Sequence, residues 1–305
     1  SCNSGISFYN VHPNDTADPQ TEFNNAQSQS FQNIFSGESS VMSMGFSAAH
    51  QNKLFVGATL NIHNTRFSQI TYLDEVNRDI NDNELTVLLD QDTYIESSGF
   101  SLGLGFIYKL HQNFRIGLAY ETPTWRQEIL EDYIEDYSAE ATGITDYSER
   151  IDELVAYSLR TPSKLTASSA IIFDKQGLIS LDYTYKDYRN TEFTSNGFND
   201  TNQSFASDYR ATHSVNIGTE WRFDKMSLRA GYHYEQSPLL NALDDDNLKG
   251  YSAGLGYNFG NTKFDLAYRQ SEANSPYGIY NDPSINPIEL NTNTSRITGT
   301  LTFNL

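Results

Sequence analysis

The sequence predicts an all-β protein, a transmembrane antiparallel up-and-down β-barrel. Apolar and polar residues alternate with a period of two in many segments, which is typical of strands with two different faces. Short polar turns alternate with long polar segments, and most strands between them reach the roughly 9–11 residues that cross an outer membrane at a tilt. Short turns at one rim and long loops at the other are typical of outer-membrane barrels.

The composition of the 305-residue chain excludes several other classes. Aromatic residues make up 13% of the sequence, which argues against a disordered chain. The formal net charge of −19 argues against a nucleic-acid partner, which demands clustered lysine and arginine. The single cysteine, Cys2, excludes an internal disulfide. No apolar run approaches the roughly 18 residues of a membrane helix.

We predict twelve strands in this chain, taken in order. Their ranges are 3–10, 39–49, 53–72, 94–110, 114–128, 155–173, 178–190, 208–223, 226–236, 250–259, 263–271 and 293–305. The fourth strand shows the alternation well, because Leu102, Leu104 and Phe106 are separated by Gly103 and Gly105.

Two kinds of connection separate these strands. Every second connection is a short turn of residues that tolerate a positive φ or suit a hairpin: 50–52, 111–113, 174–177, 224–225 and 260–262. The others are long polar segments that we predict to be loops: 11–38, 73–93, 129–157, 191–207, 237–249 and 272–292. An up-and-down order of this kind removes sheet edges if the barrel closes.

The two faces of the strands differ in chemistry. One face is rich in tyrosine, phenylalanine and leucine, and its aromatic residues recur near strand ends, which fits girdles at two membrane interfaces. The opposite face carries charged residues, which suits a wet lumen. A secreted β-sandwich is the alternative, but its strands usually have about 5–6 residues.

Particular motifs resemble the FadL/TodX family of outer-membrane transport proteins, closest to the branch in Bacteroidetes often labelled "hemin receptor". The likeness covers roughly residues 39–305. It rests on 103–109 followed by 114–125, on 159–165, and on 181–185. The motif positions within these stretches are Thr122, Pro123, Thr124, Thr161 and Pro162. The closing Gly299, Leu301, Phe303 and Leu305 are similar to the C-terminal signal read by the barrel-assembly machinery.

The resemblance implies a barrel of about 14 strands in the complete protein, plugged by an N-terminal hatch. Members move hydrophobic molecules such as long-chain fatty acids or aromatic hydrocarbons, which leave sideways through a gap beside a kinked strand. This sequence lacks the hatch motif, so we expect residues 1–305 to be one barrel domain without the hatch and the first two strands.

Charged residues on the predicted lumen face are the candidate ligand-binding residues. They are Arg115, Glu121, Arg222, Arg229, His233, Glu235 and Arg269. Their mixed signs also suit a salt-bridged interior that stiffens the barrel, whereas an ion-selective pore would show one dominant sign. The proline at each motif, Pro123 and Pro162, indicates either a local bend or a wall defect that helps lateral exit.

No enzymatic or cofactor motif is present in the sequence. The histidines have no metal-ligand spacing, and heme ligation by His63 or His233 is a weaker alternative. The run Asp244-Asp245-Asp246 offers oxygen ligands for Ca²⁺ but lacks the spacing of a calcium loop. The acidic segment 128–140 is either a hydrated loop or a contact for divalent ions and lipopolysaccharide.

These observations lead to passive, hatch-gated uptake of small hydrophobic molecules across the outer membrane of a Gram-negative bacterium, with no catalysis and no cofactor. Long loops are expected outside and short turns in the periplasm. The expected partners are outer-membrane lipid, lipopolysaccharide, the hydrophobic ligand and the barrel-assembly machinery. Two alternatives remain: a structural barrel that docks a membrane assembly such as a secretion machine, and a general porin.

Overall fold

A computed structural model describes residues 25–141, 146–278 and 288–303. They form one antiparallel sheet of 14 strands and one short helix. The strands are β1 Asn25–His50, β2 Leu54–Arg78, β3 Glu84–His111, β4 Phe114–Glu121, β5 Trp125–Ala141, β6 Tyr147–Arg160, β7 Lys164–Phe173, β8 Gly177–Asp187, β9 Glu192–Phe193, β10 Ala211–Phe223, β11 Met226–Glu235, β12 Leu248–Asn258, β13 Thr262–Tyr277 and β14 Ile288–Phe303. The helix α1 spans Asn199–Asp208.

The predicted all-β antiparallel architecture is confirmed. Each of the eleven predicted strands between 39 and 305 has its counterpart, and the predicted strand 3–10 lies outside the described residues. Two predicted strands are each divided by a proline motif, 114–128 into β4 and β5, and 155–173 into β6 and β7. The sheet follows chain order from β1 to β4 and from β10 to β14. In between, β3 pairs with both β4 and β5, β4 pairs with β7, β5 pairs with β6, and β8 pairs with β10.

Several segments predicted as loops are instead strands, so that part of the prediction is wrong. Most of 73–93 belongs to β2 and β3, most of 129–157 belongs to β5 and β6, and the ends of 11–38 and 272–292 belong to β1, β13 and β14. These extensions carry polar residues on one or both faces, so the apolar alternation that marks a strand fades along them. The sequence reasoning also missed the helix α1, because its residues are polar apart from Phe205 and Ala206.

The strands that form the wall have two very different lengths. β7, β8, β11 and β12 have 10 or 11 residues, the length of one membrane crossing, whereas β1, β2 and β3 have 25 to 28. The tall strands therefore continue far beyond the rest, on the side opposite the short turns. We call residues 25–38, 66–98, 125–141 and 146–160 the distal arm.

Side chains from near the two ends of the sheet meet at the distal end. The side-chain amide of Asn33 on β1 donates a hydrogen bond of 2.7 Å to the hydroxyl of Tyr277 on β13, and the Phe31 ring lies 5.5 Å from the Tyr277 ring. The sheet therefore curves round upon itself. No pairing joins β1 to β14 in the part of the chain that the structure describes.

The lower wall presents a continuous apolar face outward, while the distal arm has its own small core. Leu104 is 59% exposed and Phe106, Leu118 and Leu181 are also exposed, as expected for side chains that face hydrocarbon. In the arm, Val87 is only 2% exposed. Its neighbours in that core are Leu85, Leu89, Tyr137, Ala139 and Ala141. Among the described residues no helix is long and apolar enough to span a membrane.

Replacing Leu104 tests where the membrane lies. We expect Leu104→Arg to lower the free energy of unfolding in lipid by about 2–4 kcal/mol, because a charge would face the hydrocarbon. Leu88→Arg is the matched control, because Leu88 lies on the same face of β3 but in the distal arm, and its effect should stay within about 0.5 kcal/mol. Equal losses in urea titrations of the two variants would contradict this boundary.

Candidate functional site

The strand register places the predicted charged residues on one face, the lumen face. Residues that are directly opposed in an antiparallel pair point to the same side. Glu220 is opposed to Arg229, and Glu121 is opposed to Lys164. The lumen face therefore contains Arg115, Glu121, Arg222, Arg229, His233, Glu235 and Arg269. A ligand-binding role for these residues stays a prediction.

Arg229 joins three strands at the centre of a charged network. Its guanidinium donates to Glu220 on β10 and to Asp265 on β13, each at 2.6 Å. Arg222 lies 2.6 Å from the second oxygen of Glu220, and Lys263 lies 3.1 Å from Asp265. Such charge-assisted hydrogen bonds are stronger than neutral ones, so this network braces the wall near the short-turn rim.

Gly256 on β12 makes room for this network. A Cβ atom at Gly256 would lie 2.4 Å from the carboxylate of Asp265 and 2.4 Å from the hydroxyl of Ser227. The chain therefore needs glycine here so that Arg229 can reach Asp265 across the intervening strand. The GxG pattern in this strand has a packing reason on the lumen face.

The other predicted lumen residues have different surroundings. Glu121 forms an ion pair of 2.7 Å with Lys164. The Nδ1 of His233 lies 2.5 Å from Asn216 Oδ1, and its Nε2 lies 3.6 Å from Glu235. Between the network and His233 the wall has a recess of about 500 Å³, whose lumen-side lining includes Ser180, Asn216, Gly231, His233, Ser252 and Arg269.

Two proline motifs interrupt the wall side by side. The Thr122 amide still donates to the Leu102 carbonyl, while the Thr122 hydroxyl accepts from the Leu102 amide. On the next strand the Thr161 amide donates to the Thr124 carbonyl and the Thr161 hydroxyl accepts from the Thr124 amide. Beside each proline a threonine hydroxyl thus takes the place of a carbonyl as the acceptor for an amide of the neighbouring strand. We call this level the proline step.

The wall changes neighbours at the proline step. Below it, β7 pairs with β8 along its whole length. Above it, β6 pairs with β5 on one side, and on the other side only Leu159 and Arg160 pair with β9 among the described residues. β8 ends at Asp187, so the wall opens sideways above this level.

Residues 188–210, which we call the side segment, occupy this opening. An ion pair of 2.5 Å joins Glu192 to Arg160 on β6, and the Ser158 amide donates to the Ser195 hydroxyl at 2.9 Å. The amide group of Asn202 on α1 bonds both backbone groups of Phe193. A few polar contacts therefore hold the side segment against the edge of β6.

A row of aromatic rings lies next to these polar contacts. Phe193 stacks on Phe198 at 4.6 Å between ring centroids, and Tyr157 of β6 lies 5.3 Å from Phe193. Phe205 and Tyr209 extend the row, with centroid separations of 5.8 and 5.4 Å. We call these five residues the aromatic cluster. The sequence reasoning missed it; the only signal was the density of phenylalanine within the polar segment 191–207.

The residues considered above as weaker candidates for binding Ca²⁺ or heme have hydrogen-bond or ion-pair partners within the protein. In the described ranges no group of three histidine, cysteine, aspartate or glutamate residues is arranged to hold a metal ion. Asp246 accepts the Leu243 amide in a turn, and Asp245 lies 3.5 Å from Lys249. The ring Nε2 of His63 lies 3.0 Å from the Ser101 hydroxyl.

The acidic segment 128–140 is a strand rather than a hydrated loop, because it continues β5 into the distal arm. Glu131 accepts a hydrogen bond of 2.7 Å from Tyr157, and Glu135 accepts from Gln91 at 2.6 Å. Burial, with the nearby carboxylates of Asp136 and Asp92, raises the pKa of Asp90 on the neighbouring strand.

Loss of the Arg229 guanidinium should weaken the barrel. We expect Arg229→Gln to lower the free energy of unfolding by about 1–3 kcal/mol, since two carboxylates lose a half-buried partner. Arg115→Gln is the control: Arg115 is on the same face without a described ion pair, and its replacement should cost less than about 0.5 kcal/mol. Urea denaturation in detergent measures both, and equal effects would show that the network does not stabilise the wall.

Comparison with known proteins agrees with this architecture. The solved structures that resemble the chain include three hydrocarbon or toluene transport proteins. The TodX monoaromatic hydrocarbon channel deltaS2 mutant has a TM-score of 0.50 and 11% identity, with 91% of this chain and 88% of that chain covered. The Ralstonia pickettii toluene transporter TbuX has a TM-score of 0.46, 16% identity and coverage of 91% and 81%. The Pseudomonas putida toluene transporter TodX has a TM-score of 0.45, 12% identity and coverage of 91% and 88%.

At this level of identity the TodX mutant structure shows a shared fold only. No curated protein sequence matches the chain. A family model described as "Outer membrane protein transport protein (OMPP1/FadL/TodX)" matches residues 21–280, which is most of the sequence. With its antiparallel wall, outward apolar face and charged lumen face, the chain belongs to this FadL/TodX family of outer-membrane transport proteins.

Proposed function

We propose that this protein carries small hydrophobic molecules passively across the outer membrane and releases them sideways at the proline step. The observation that carries the proposal is the break in the wall beside β6, closed by the side segment and lined by the aromatic cluster. The long-loop rim would then face outward and the short turns the periplasm. Gating by a hatch, which the family resemblance implies, stays a prediction.

The level of the step suits lateral exchange with lipid. β7 has 10 residues between the short turn and the step, about one membrane thickness. The outward residues just below, Tyr120 and Leu165, are still exposed and apolar or amphipathic. A molecule that leaves the lumen here would meet the interfacial region of the bilayer on the long-loop side.

The aromatic cluster supplies an apolar surface at this exit. Its five rings are half-buried, and aromatic pairs at these separations attract one another modestly, by about 0.5–1.5 kcal/mol beyond area burial. A hydrophobic compound can replace such a contact at little cost. The side segment would therefore yield to a ligand without unfolding the wall.

The proposed substrates belong to two classes of compound, aromatic hydrocarbons and long-chain fatty acids. The structural relatives are named as toluene transporters or monoaromatic hydrocarbon channels. We extend to this chain the broader class, small hydrophobic molecules that include aromatic hydrocarbons and long-chain fatty acids. The mixed charge of the lumen face argues against a general ion-selective porin, which uses one dominant sign at its constriction.

The distal arm favours a second candidate function, the docking of a membrane assembly. The hairpin tip between β2 and β3 is ordered by Asp79, whose side chain accepts the amides of Asn81 and Asn83, and it presents Ile80 with 94% exposure. Stoichiometric co-purification of partner subunits that is lost in Ile80→Asp would favour this function. A barrel purified alone, with full uptake activity, would argue against it.

Locking the side segment tests the exit. Arg160 and Glu192 are directly opposed in the register, a geometry that suits a disulfide. In a Cys2→Ser background, we expect the pair Arg160→Cys and Glu192→Cys to reduce uptake of radiolabelled toluene and dodecanoate when oxidised. Uptake by cells without their own transporter should fall to that of cells lacking the protein, and a reductant should restore it.

A second disulfide serves as the control for oxidation itself. Thr166 and Thr184 are opposed on the lumen face of β7 and β8, below the proline step, with hydroxyls 2.9 Å apart. The pair Thr166→Cys and Thr184→Cys links strands that are already fully paired, so uptake should not change. If the locked side segment transports as well as the reduced protein, the route does not pass this opening.

A further inference from the structure

One edge of the distal arm has no strand beside it. Residues 147–157 of β6 pair with β5 on one side. On the other side, β6 has no strand partner in the described residues until Leu159 and Arg160 pair with β9. Eight of the ten residues 147–156 are exposed, and Leu154 is exposed by 73%. We call residues 147–156 the β6 edge, which lies beyond the contacts of the side segment and is open to solvent.

The contacts of Ser158 show which backbone groups of β6 point away from β5. Its amide donates to the Ser195 hydroxyl, and its carbonyl accepts from the Thr194 amide, both on the side segment. In an antiparallel strand the N–H and C=O of one residue point to the same side, and that side alternates along the chain. Five residues of the β6 edge therefore direct both backbone groups toward solvent, where another strand could bond them: Ser148, Arg150, Asp152, Leu154 and Ala156.

The two strands at this edge carry a large excess of negative charge. Residues 147–157 of β6 contain three carboxylates and one arginine, and residues 129–141 of β5 contain five carboxylates with no lysine or arginine. The arginine, Arg150, already lies 2.5 Å from Asp136. Charged side chains commonly protect exposed edges against indiscriminate pairing. The acidic composition of this edge would repel an acidic strand and attract a basic one.

Carboxylates and apolar residues alternate on one face of the β6 edge. Glu149 is opposed to Tyr137, whose side chain belongs to the core of the arm. Because side chains alternate along a strand, three further residues share this face with Glu149: Ile151, Glu153 and Val155. A strand added at the edge would place its own side chains directly opposite these four. Cations opposite the two glutamates and apolar side chains opposite Ile151 and Val155 would therefore fit.

We propose that the β6 edge binds an extended, cationic segment of another polypeptide by adding it to the sheet as a strand. In strand addition, backbone hydrogen bonds supply affinity and alternate side chains supply specificity. The fitting partner has lysine or arginine at every fourth position, apolar residues midway between them, and small polar residues elsewhere. This interaction goes beyond the proposed transport, because it needs neither the lumen nor the lateral exit.

Binding of a designed peptide tests the proposal. The probe is a fluorescently labelled peptide, VTKTVTKTV, whose two lysines can face Glu149 and Glu153. Its affinity for the purified full chain in nonionic detergent is measured by fluorescence anisotropy at low salt. Two matched peptides are the controls: VTETVTETV reverses the charge, and N-methylation of the two central threonines of VTKTVTKTV blocks amides that would bond the edge. We expect each change to weaken binding at least about tenfold.

A pair of variants at Leu154 tests the backbone of the edge. Leu154→Pro removes one amide that points away from β5 and leaves the hydrogen bonds to β5 in place. It should weaken binding of VTKTVTKTV at least about fivefold. Leu154→Thr removes the same side chain but keeps the amide, so the affinity should stay within about twofold of the wild-type value.

A double variant tests the charge of the edge. Glu149→Gln combined with Glu153→Gln should weaken binding of VTKTVTKTV about tenfold. The charge-matched control combines Asp174→Asn with Asp224→Asn, in two short turns at the opposite end of the wall, where both residues have a positive φ that asparagine tolerates. This control should leave the affinity unchanged.

Three results would overturn the proposal. The first is equal affinity for the lysine and glutamate peptides, and the second is equal affinity for the N-methylated peptide, which tests the edge on the unaltered protein even if Leu154→Pro does not fold. The third comes from sedimentation velocity without peptide. A wild-type dimer that both Leu154→Pro and the N-methylated peptide's unmodified parent abolish would show that a second copy of this chain occupies the edge.

Discussion

Backbone hydrogen bonding in hydrocarbon is the constraint on which the rest of this structure depends. No water is available there, so each amide and carbonyl group needs a partner in the wall. An antiparallel ladder supplies it from β1 to β14. Next to the two prolines the hydroxyls of Thr122 and Thr161 act as the acceptors for the amides of Leu102 and Thr124. The wall can therefore change neighbours at this level while these two amides keep a partner.

The arrangement at the proline step connects the fold to the proposed transport route. Below the proline step every strand has two neighbours or ends the sheet, whereas above it β6 leans on the side segment through a few polar contacts and the aromatic cluster. Elements with few contacts are the ones that open at low free-energy cost. The strongly paired lower wall thus stabilises the barrel, and the weakly held side segment is where we propose the lateral exit.

The lumen face uses charge in two ways. The Arg229 network spans β10 to β13 with mutually neutralised groups, which suits a brace. Arg269 and Arg296 are direct partners in the register of β13 and β14 and have no ion pair within the described residues. Arginines on one surface can thus be neutralised or left unpaired, depending on their neighbours rather than on residue type.

The sequence by itself determined the strand class, the short turns and the lumen face, because a period of two and tight-turn residues are local properties. It marked the two prolines as a local bend or a wall defect, although the predicted strands 114–128 and 155–173 ran through them. The tertiary structure alone decided that polar segments such as 129–141 and 147–157 are strands, since their pairing comes from distant partners and not from their own apolar pattern. It likewise decided which charges are neutralised: Arg229 and Arg269 look alike in the sequence, and only cross-strand register gives one of them two carboxylates.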